Sequence, residues 1–202
     1  MNKKYVIRLE RESDYRTVEN LTREAFWNIY QPGCTEHYVL HCYRSNPDFI
    51  PELDLVMEID DIIMGHVMFS KAEIICDDGR NIPILTFGPI SIAPEFKRQG
   101  YGITLLKFAL AKAKEMGFGA IFMEGKIEFY RHAGFELASS LHIHYHAEPR
   151  DSEVPYFLGQ ELKEGYLNGI EGVYHTPRAY YVAFDNPGEF EKFEALFPFK
   201  EK

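Results

Sequence analysis

The stretch Ile90-Ser91-Ile92-Ala93-Pro94-Glu95-Phe96-Lys97-Arg98-Gln99-Gly100-Tyr101-Gly102 runs from an aliphatic strand into a glycine-rich turn, and residues 100–116 then follow helical spacing to a C-cap at Gly117. A strand, a tight turn and a helix in that order leave the first-turn amides without intrahelical partners. The helix dipole adds partial positive charge at the same end, so the turn is suited to a phosphate. Gly100 and Gly102 clear side chains from the approach, and Lys97 and Arg98 bring charge beside it. A glycine pair alone fits any turn that needs glycine. No Gly-Lys-Ser/Thr follows, so this is not a P-loop. The third glycine and a preceding βαβ unit are missing, which separates it from a dinucleotide fingerprint.

The elements around this unit follow from periodicity and turn residues. Strands are expected at 5–9, 53–59, 62–75 and 82–92, with turns at Asp60-Asp61 and Asp77-Asp78-Gly79-Arg80. Gly88-Pro89 inside the fourth run predicts a bulge or an unpaired edge. Helices are expected from Ser13 or Asp14 through about Tyr30, over 35–44, over 100–116, over 127–133 and over 189–197. Further strands are expected at 120–123, 135–138, 141–145 and 154–162. Antiparallel strands followed by βαβ-like units imply a mixed α/β sheet.

The chain has 202 residues, 46% hydrophobic and 26% charged, enough for one cored domain or one domain with an extension. Its net charge of -9 argues against nucleic acid as a partner, since nothing offsets phosphate repulsion. No run approaches the roughly 18 apolar residues of a membrane span. Cys34, Cys42 and Cys76 are odd in number and fit no disulfide framework, and the N-terminus lacks a signal-peptide core. A soluble cytoplasmic protein is therefore expected.

The 90–102 stretch resembles motif A of the GCN5-related N-acetyltransferases, Gln/Arg-x-x-Gly-x-Gly/Ala after an aliphatic strand. Here it reads Lys97-Arg98-Gln99-Gly100-Tyr101-Gly102, with Lys97 departing at the first position. Downstream by about 30 residues, Tyr130-Arg131-His132-Ala133-Gly134-Phe135 resembles the family's motif B, Tyr-x-x-x-Gly-Phe. Gly65-His66-Val67-Met68-Phe69-Ser70 resembles a bacterial subgroup of small-molecule acetyltransferases. The likeness covers roughly residues 5–145 and is loose beyond 150. It implies the acyl-CoA N-acyltransferase fold, a central, mostly antiparallel twisted sheet flanked by helices. It further implies an acetyltransferase domain over 1–150 and an extension over 151–202 that completes the sheet and packs on the same domain.

By the same resemblance, acetyl-CoA is the cosubstrate and an amine is the acceptor. The Ile90, Ser91 and Ile92 backbone would hold the pantetheine arm like an added strand. Lys97, Arg98, Gln99, Gly100, Tyr101, Gly102 and Ile103 would hold the pyrophosphate, chiefly through backbone amides. Tyr130 would be the general acid that protonates the leaving thiolate. A homodimer is compatible with the family. Two rival readings are a non-catalytic acetyl-CoA-binding sensor on the same fold and transfer of a longer acyl group.

The general base is open among Glu24, Glu58 and His66, with His66 reading better as a satisfied core histidine. Cys34, His37, His41 and Cys42 have metal-ligand types without a second spaced pair, and read as a helix near a substrate entrance. His142, His144 and His146 alternate, and read as one solvated or substrate-facing strand face. No metal is expected. Phe26, Trp27 and Tyr30 fit either an acceptor pocket border or an aromatic core cluster.

Overall fold

A computed structural model describes residues 4–202. In chain order these form β1 (Tyr5–Leu9), α1 (Tyr15–Phe26), α2 (Glu36–Tyr43), β2 (Leu55–Ile59), β3 (Ile62–Cys76), β4 (Asn81–Ile92), α3 (Tyr101–Glu115), β5 (Ala120–Glu124), α4 (Ile127–Tyr130), β6 (Glu136–Leu137), β7 (Ile143–Tyr145), β8 (Phe157–Glu161), β9 (Gly172–Tyr174), α5 (Val182–Asp185) and α6 (Pro187–Glu194).

All the strands join one sheet in the order β1-β2-β3-β4-β5-β8-β6, with β9 on the far end of β3 and β7 beside β9. Only β4–β5 and β7–β9 are parallel; the other pairs are antiparallel. The mixed, mostly antiparallel sheet expected from the sequence is therefore present. Asp60 and Asp61, at φ of 54° and 62°, make the tight β2–β3 turn.

Helices cover both faces, which is why β2 and β3 read as nearly continuous apolar runs. Leu55, Met57 and Val67 join Leu105, Leu106, Ala109 and Ala113 of α3 in one core cluster. Val56 and Met68 point the other way, to Val18 of α1 and Val39, Leu40 and Tyr43 of α2. The α3 positions form one apolar stripe along that helix. Each leucine buried there contributes about 1.5–3 kcal/mol.

Two features open the sheet. In the β3–β4 pairing, Val67 opposes Ile90 and Phe69 opposes Phe87, so Met68 faces both Gly88 and Pro89. This is the expected bulge, and Pro89 has no amide to give a neighbouring strand. Beyond it, β4 and β5 share a single registered pair, Leu85 with Ile121. From there β5 stays with β8 while β4 follows β3 to Ile92, and the two strands part.

Several boundaries differ from expectation for local reasons. The first helix stops at Phe26 rather than Tyr30 because Asn28 takes φ 56°, its amide bonding Gly33 O and its Oδ1 accepting from Gly33 N. The strand expected over 141–145 begins only at Ile143, since His142 is left-handed at φ 59°. The strand β9 and the turns of helix α5 have no counterpart in the sequence reading. The tail strand β8 lies inside the sheet, between β5 and β6.

Candidate active site

The parting of β4 and β5 opens into a cleft of about 1170 Å³ that runs from the start of α3 to the tail residues Tyr174–Tyr181. Of the residues singled out in the sequence, Ile90, Ile92, Lys97, Arg98, Gly100, Gly102, Ile103 and Tyr130 line it. Ser91 is also on this strand but fully buried, and its hydroxyl donates to Thr22 Oγ1 at 3.0 Å.

The turn before α3 is built to leave its amides free. Arg98 at φ 61° and Gly100 at φ 86° are both left-handed, and Gly100 is the N-cap. The amides of Arg98, Gln99, Gly100, Tyr101, Gly102 and Ile103 have no acceptor among the described residues, whereas Thr104 bonds Gly100 O at 3.1 Å. Such a run of amides on a helix start is an anion cradle. A Cβ at Gly102 would stand 3.3 Å from Phe129 Cζ and 3.4 Å from Ile92 Cγ1, so glycine keeps the helix start close to the cleft wall.

Three side chains of the turn are occupied elsewhere. Gln99 Nε2 donates to Glu95 O at 2.9 Å, and Tyr101 packs edge-on against Phe96 and Tyr5. Lys97 Nζ donates to Ala25 O at 2.8 Å, which ties the turn to the end of α1, and burial lowers its pKa. Lys97 therefore offers a fixed charge, not a mobile one.

Tyr130 ends α4 and sits among the rings of Phe87, Phe129 and Phe135, at centroid distances of 5.8, 4.9 and 5.8 Å. Burial pushes its phenol pKa well up, and Tyr30 across the cleft adds to the rise. The group is thus held protonated, which a proton donor requires. Gly134, at φ 95°, turns the chain after the short helix as the motif implied.

None of the expected base candidates lines the cleft. Glu24 is on the surface and pairs with Lys200. Glu58 pairs with Arg8. His66 is a fully buried core histidine, with Nε2 2.6 Å from Asp54 Oδ1 and Nδ1 without a hydrogen-bond partner among the described residues. Burial lowers His66 to about 4 and raises Asp54 to about 6 and Glu10 to about 7. Glu10, Asp54 and His66 have ligand atoms within 4.8 Å, but both oxygens of Glu10 already accept from Arg44, at 3.0 and 2.7 Å. The guanidinium supplies the positive charge there, so the group does not fit a metal.

The other histidines also separate. His37 is buried 2.8 Å from Glu194, and His41 Nδ1 lies 2.9 Å from Glu19, so they do not converge with Cys34 and Cys42. His142 is left-handed and precedes β7, whereas His144, 3.8 Å from Glu171, and His146, stacked on His175, keep to one side of the β7–β9 pair. Phe26 and Tyr30 do line the cleft, while Trp27 is buried and its Nε1 donates to Glu201 O at 2.8 Å.

Two cleft carboxylates went unnoticed in the sequence. Glu36 starts α2 and accepts the Thr35 amide at 2.9 Å. Glu124 ends β5 and accepts from Thr176 Oγ1 at 2.6 Å. The signal for Glu124 was an acidic residue closing an apolar strand just before a glycine, at the carboxyl end where parallel strands place ligands.

The Acetyltransferase (GNAT) family model matches residues 22–135, more than half of the chain. The uncharacterized N-acetyltransferase YjhQ of Escherichia coli K12 is 28% identical over 87 residues, 43% of this chain and 47% of that protein. The matched region thus spans about half the length of this curated relative. The GNAT family N-acetyltransferase YhbS from Escherichia coli, solved in complex with CoA, aligns with a TM-score of 0.75 at 22% identity over 89% of this chain and 93% of its own. A GNAT family acetyltransferase from Brucella melitensis, solved in complex with acetyl-CoA, aligns with a TM-score of 0.69 at 22% identity over 89% and 99%.

Proposed function

The chain belongs to the GNAT acetyltransferase family, and from that membership we propose that it transfers the acetyl group of acetyl-CoA to a primary amine of a small acceptor, by direct attack with both substrates bound. One observation carries this reading. An open strand edge, β4 beyond Leu85, leads within a single cleft to the six free amides of residues 98–103. The first suits an extended amide-bearing arm and the second a pyrophosphate. The CoA and acetyl-CoA held by the two structural neighbours have these same two parts, which supports the assignment.

In this reading the Ile90, Ser91 and Ile92 backbone pairs with the pantetheine arm. Ser91, Gln99 and Tyr101 act through their amides alone, because their side chains are engaged elsewhere. Lys97 and Arg98 add charge beside the amides of Gly100, Gly102 and Ile103.

Most of the acceleration comes from holding the neutral amine against the thioester carbonyl. The C–N bond forms and the C–S bond breaks. The departing thiolate takes the Tyr130 proton, and the proton lost by nitrogen passes to water, which restores the phenol. Burial weakens Tyr130 as an acid, but the thiolate leaves into the same apolar surroundings and is made more basic by the same cause. The two stay matched, and the transfer remains inexpensive.

The test is free-thiol release from acetyl-CoA with a panel of amines, polyamines, aminoglycosides and peptides. Turnover with some member is expected. Acetyl-CoA binding without turnover across the panel would replace this reading with a sensor.

A further inference from the structure

Away from the phosphate turn, the cleft is bordered by the exposed Glu124 and by tail residues. Thr176, Tyr156, Tyr174 and Tyr181 line the same cleft. The charge of Glu124 is felt by Tyr145, Tyr156 and Tyr174, each of which it helps keep protonated. Among the described residues no Lys, Arg or His nitrogen pairs with Glu124, whose polar partners are the hydroxyls of Thr176 and Tyr145. Carboxylates elsewhere in the fold, among them Glu10, Asp14, Glu19, Glu58 and Glu194, have such partners.

Three of the nearby hydroxyls are already committed. Tyr174 donates to Thr86 at 3.1 Å, Tyr156 to Glu148 at 2.8 Å, and Tyr145 shares a 2.9 Å bond with Thr176. What remains for a ligand is an exposed carboxylate on the rim of a cleft lined by tyrosine rings. That combination suits a retained cation, which gains a charge-assisted bond from the one and ring attraction from the other.

Glu124 directly precedes Gly125, whose backbone abuts the Tyr130 ring, and its carboxylate accepts from Thr176 of the tail. It therefore lies between the reacting end and the tail residues of the cleft.

We propose, resting on the acetyl-transfer reading, that the acceptor is a diamine: one amine reacts in its neutral form while the second, still protonated, is held by Glu124 beside the tyrosines. Glu124 is then a specificity determinant, and diamines or polyamines are the substrate class.

The experiment compares putrescine with n-butylamine, by thiol release from acetyl-CoA and by calorimetric binding to the protein saturated with CoA. Wild type should favour putrescine at least tenfold in kcat/KM and in affinity. Glu124→Gln should abolish that preference by raising the putrescine KM at least tenfold. Tyr156→Phe should keep the preference and Tyr156→Leu should weaken it, so loss of the ring is separated from loss of the fold. Equal binding of the two amines to wild type would overturn the cation site. A fall in kcat for both amines alike in Glu124→Gln, with KM unmoved, would also overturn it, because Glu124 would then be a base. Selective putrescine binding that Glu124→Gln removes, without thiol release from any amine, would support the cation site while sinking the acetyl-transfer reading.

Discussion

A Cβ on Gly125 would stand 2.3 Å from Cε2 of Tyr130, so the bare backbone of one residue makes room for the ring of the other. Gly125 follows directly on β5, and its amide bonds Tyr156 O at 2.7 Å, which fixes the wall against which the ring lies. The position of Tyr130 is thus set from two sides, by this glycine and by Phe87, Phe129 and Phe135.

Gly125→Ala is expected to push the Tyr130 ring aside and cut kcat by about a hundredfold, the scale of an ångström-sized misplacement. Acetyl-CoA affinity should change little. Tyr130→Phe should lower kcat by about 10²–10⁴-fold with the same unchanged affinity. Steady-state kinetics with calorimetric acetyl-CoA binding checks both, and an undiminished kcat in Tyr130→Phe would remove its assigned role.

Gly100→Glu should weaken acetyl-CoA binding about tenfold or more. The left-handed φ of 86° costs a non-glycine residue about 1–2 kcal/mol, and the carboxylate would repel phosphate at the free amides. Nothing lies within 4 Å of a Cβ there, so packing is spared and the folded spectrum should be retained. An unchanged dissociation constant would contradict the phosphate cradle.

The alkaline side of the rate profile should be flat where a normal tyrosine would titrate. Burial raises the Tyr130 pKa, so the donor form persists through and beyond the usual value of about 10. With a monoamine acceptor at saturation, the rate should rise with pH as the amine loses its proton and then hold level. A descending limb centred below about pH 10 that vanishes in Tyr130→Phe would show the phenol is not held protonated.

Folding stability should carry the signature of His37. Burial lowers its pKa to about 4 from an ordinary 6.5, so in the window between these values the unfolded chain binds a proton that the folded one refuses. Its stabilising contribution is complete above 6.5 and shrinks as the pH falls toward 4. At pH 5 the loss relative to pH 7 is roughly 2 kcal/mol. Urea unfolding at the two pH values should show a smaller difference in His37→Gln than in wild type, and equal differences would exclude His37 as the source.

Much of the fold was readable because strong periodicity met strong punctuation. Asp60-Asp61 and Asp77 to Arg80 bracket β3, and Gly88-Pro89 marks the bulge that the register displays. The turn at residues 97–102 was legible for the same reason, since glycines and a helix start are local signals. The acceptor side was not. Glu124, Thr176, Tyr156 and Tyr174 come together through the pairing of β5 with β8 and of β9 with β3, contacts between distant segments that no local pattern encodes. The three residues of β9 are too few to show alternation. The general base stayed open in the sequence for a related reason. Alternation on a strand tells which residues share a face, not which face meets the cleft, and His66 and Glu58 fell on faces claimed by Asp54 and Arg8.

The insertion of β8 between β5 and β6 bears on how the chain is assembled during synthesis. Until residues 157–161 have been made, the outer edge of β5 has no antiparallel partner, and β6 has nothing in the sheet to join. A nascent chain that has emerged only through motif B would carry the phosphate turn and the tyrosine donor on a sheet with one edge unprotected, a state open to pairing with other chains. Closure of that edge waits for the tail, which also brings Tyr156, Tyr174 and Thr176 to the cleft. Completion of the sheet and completion of the acceptor end are therefore late events that arrive together, so a prematurely ended chain would lack both.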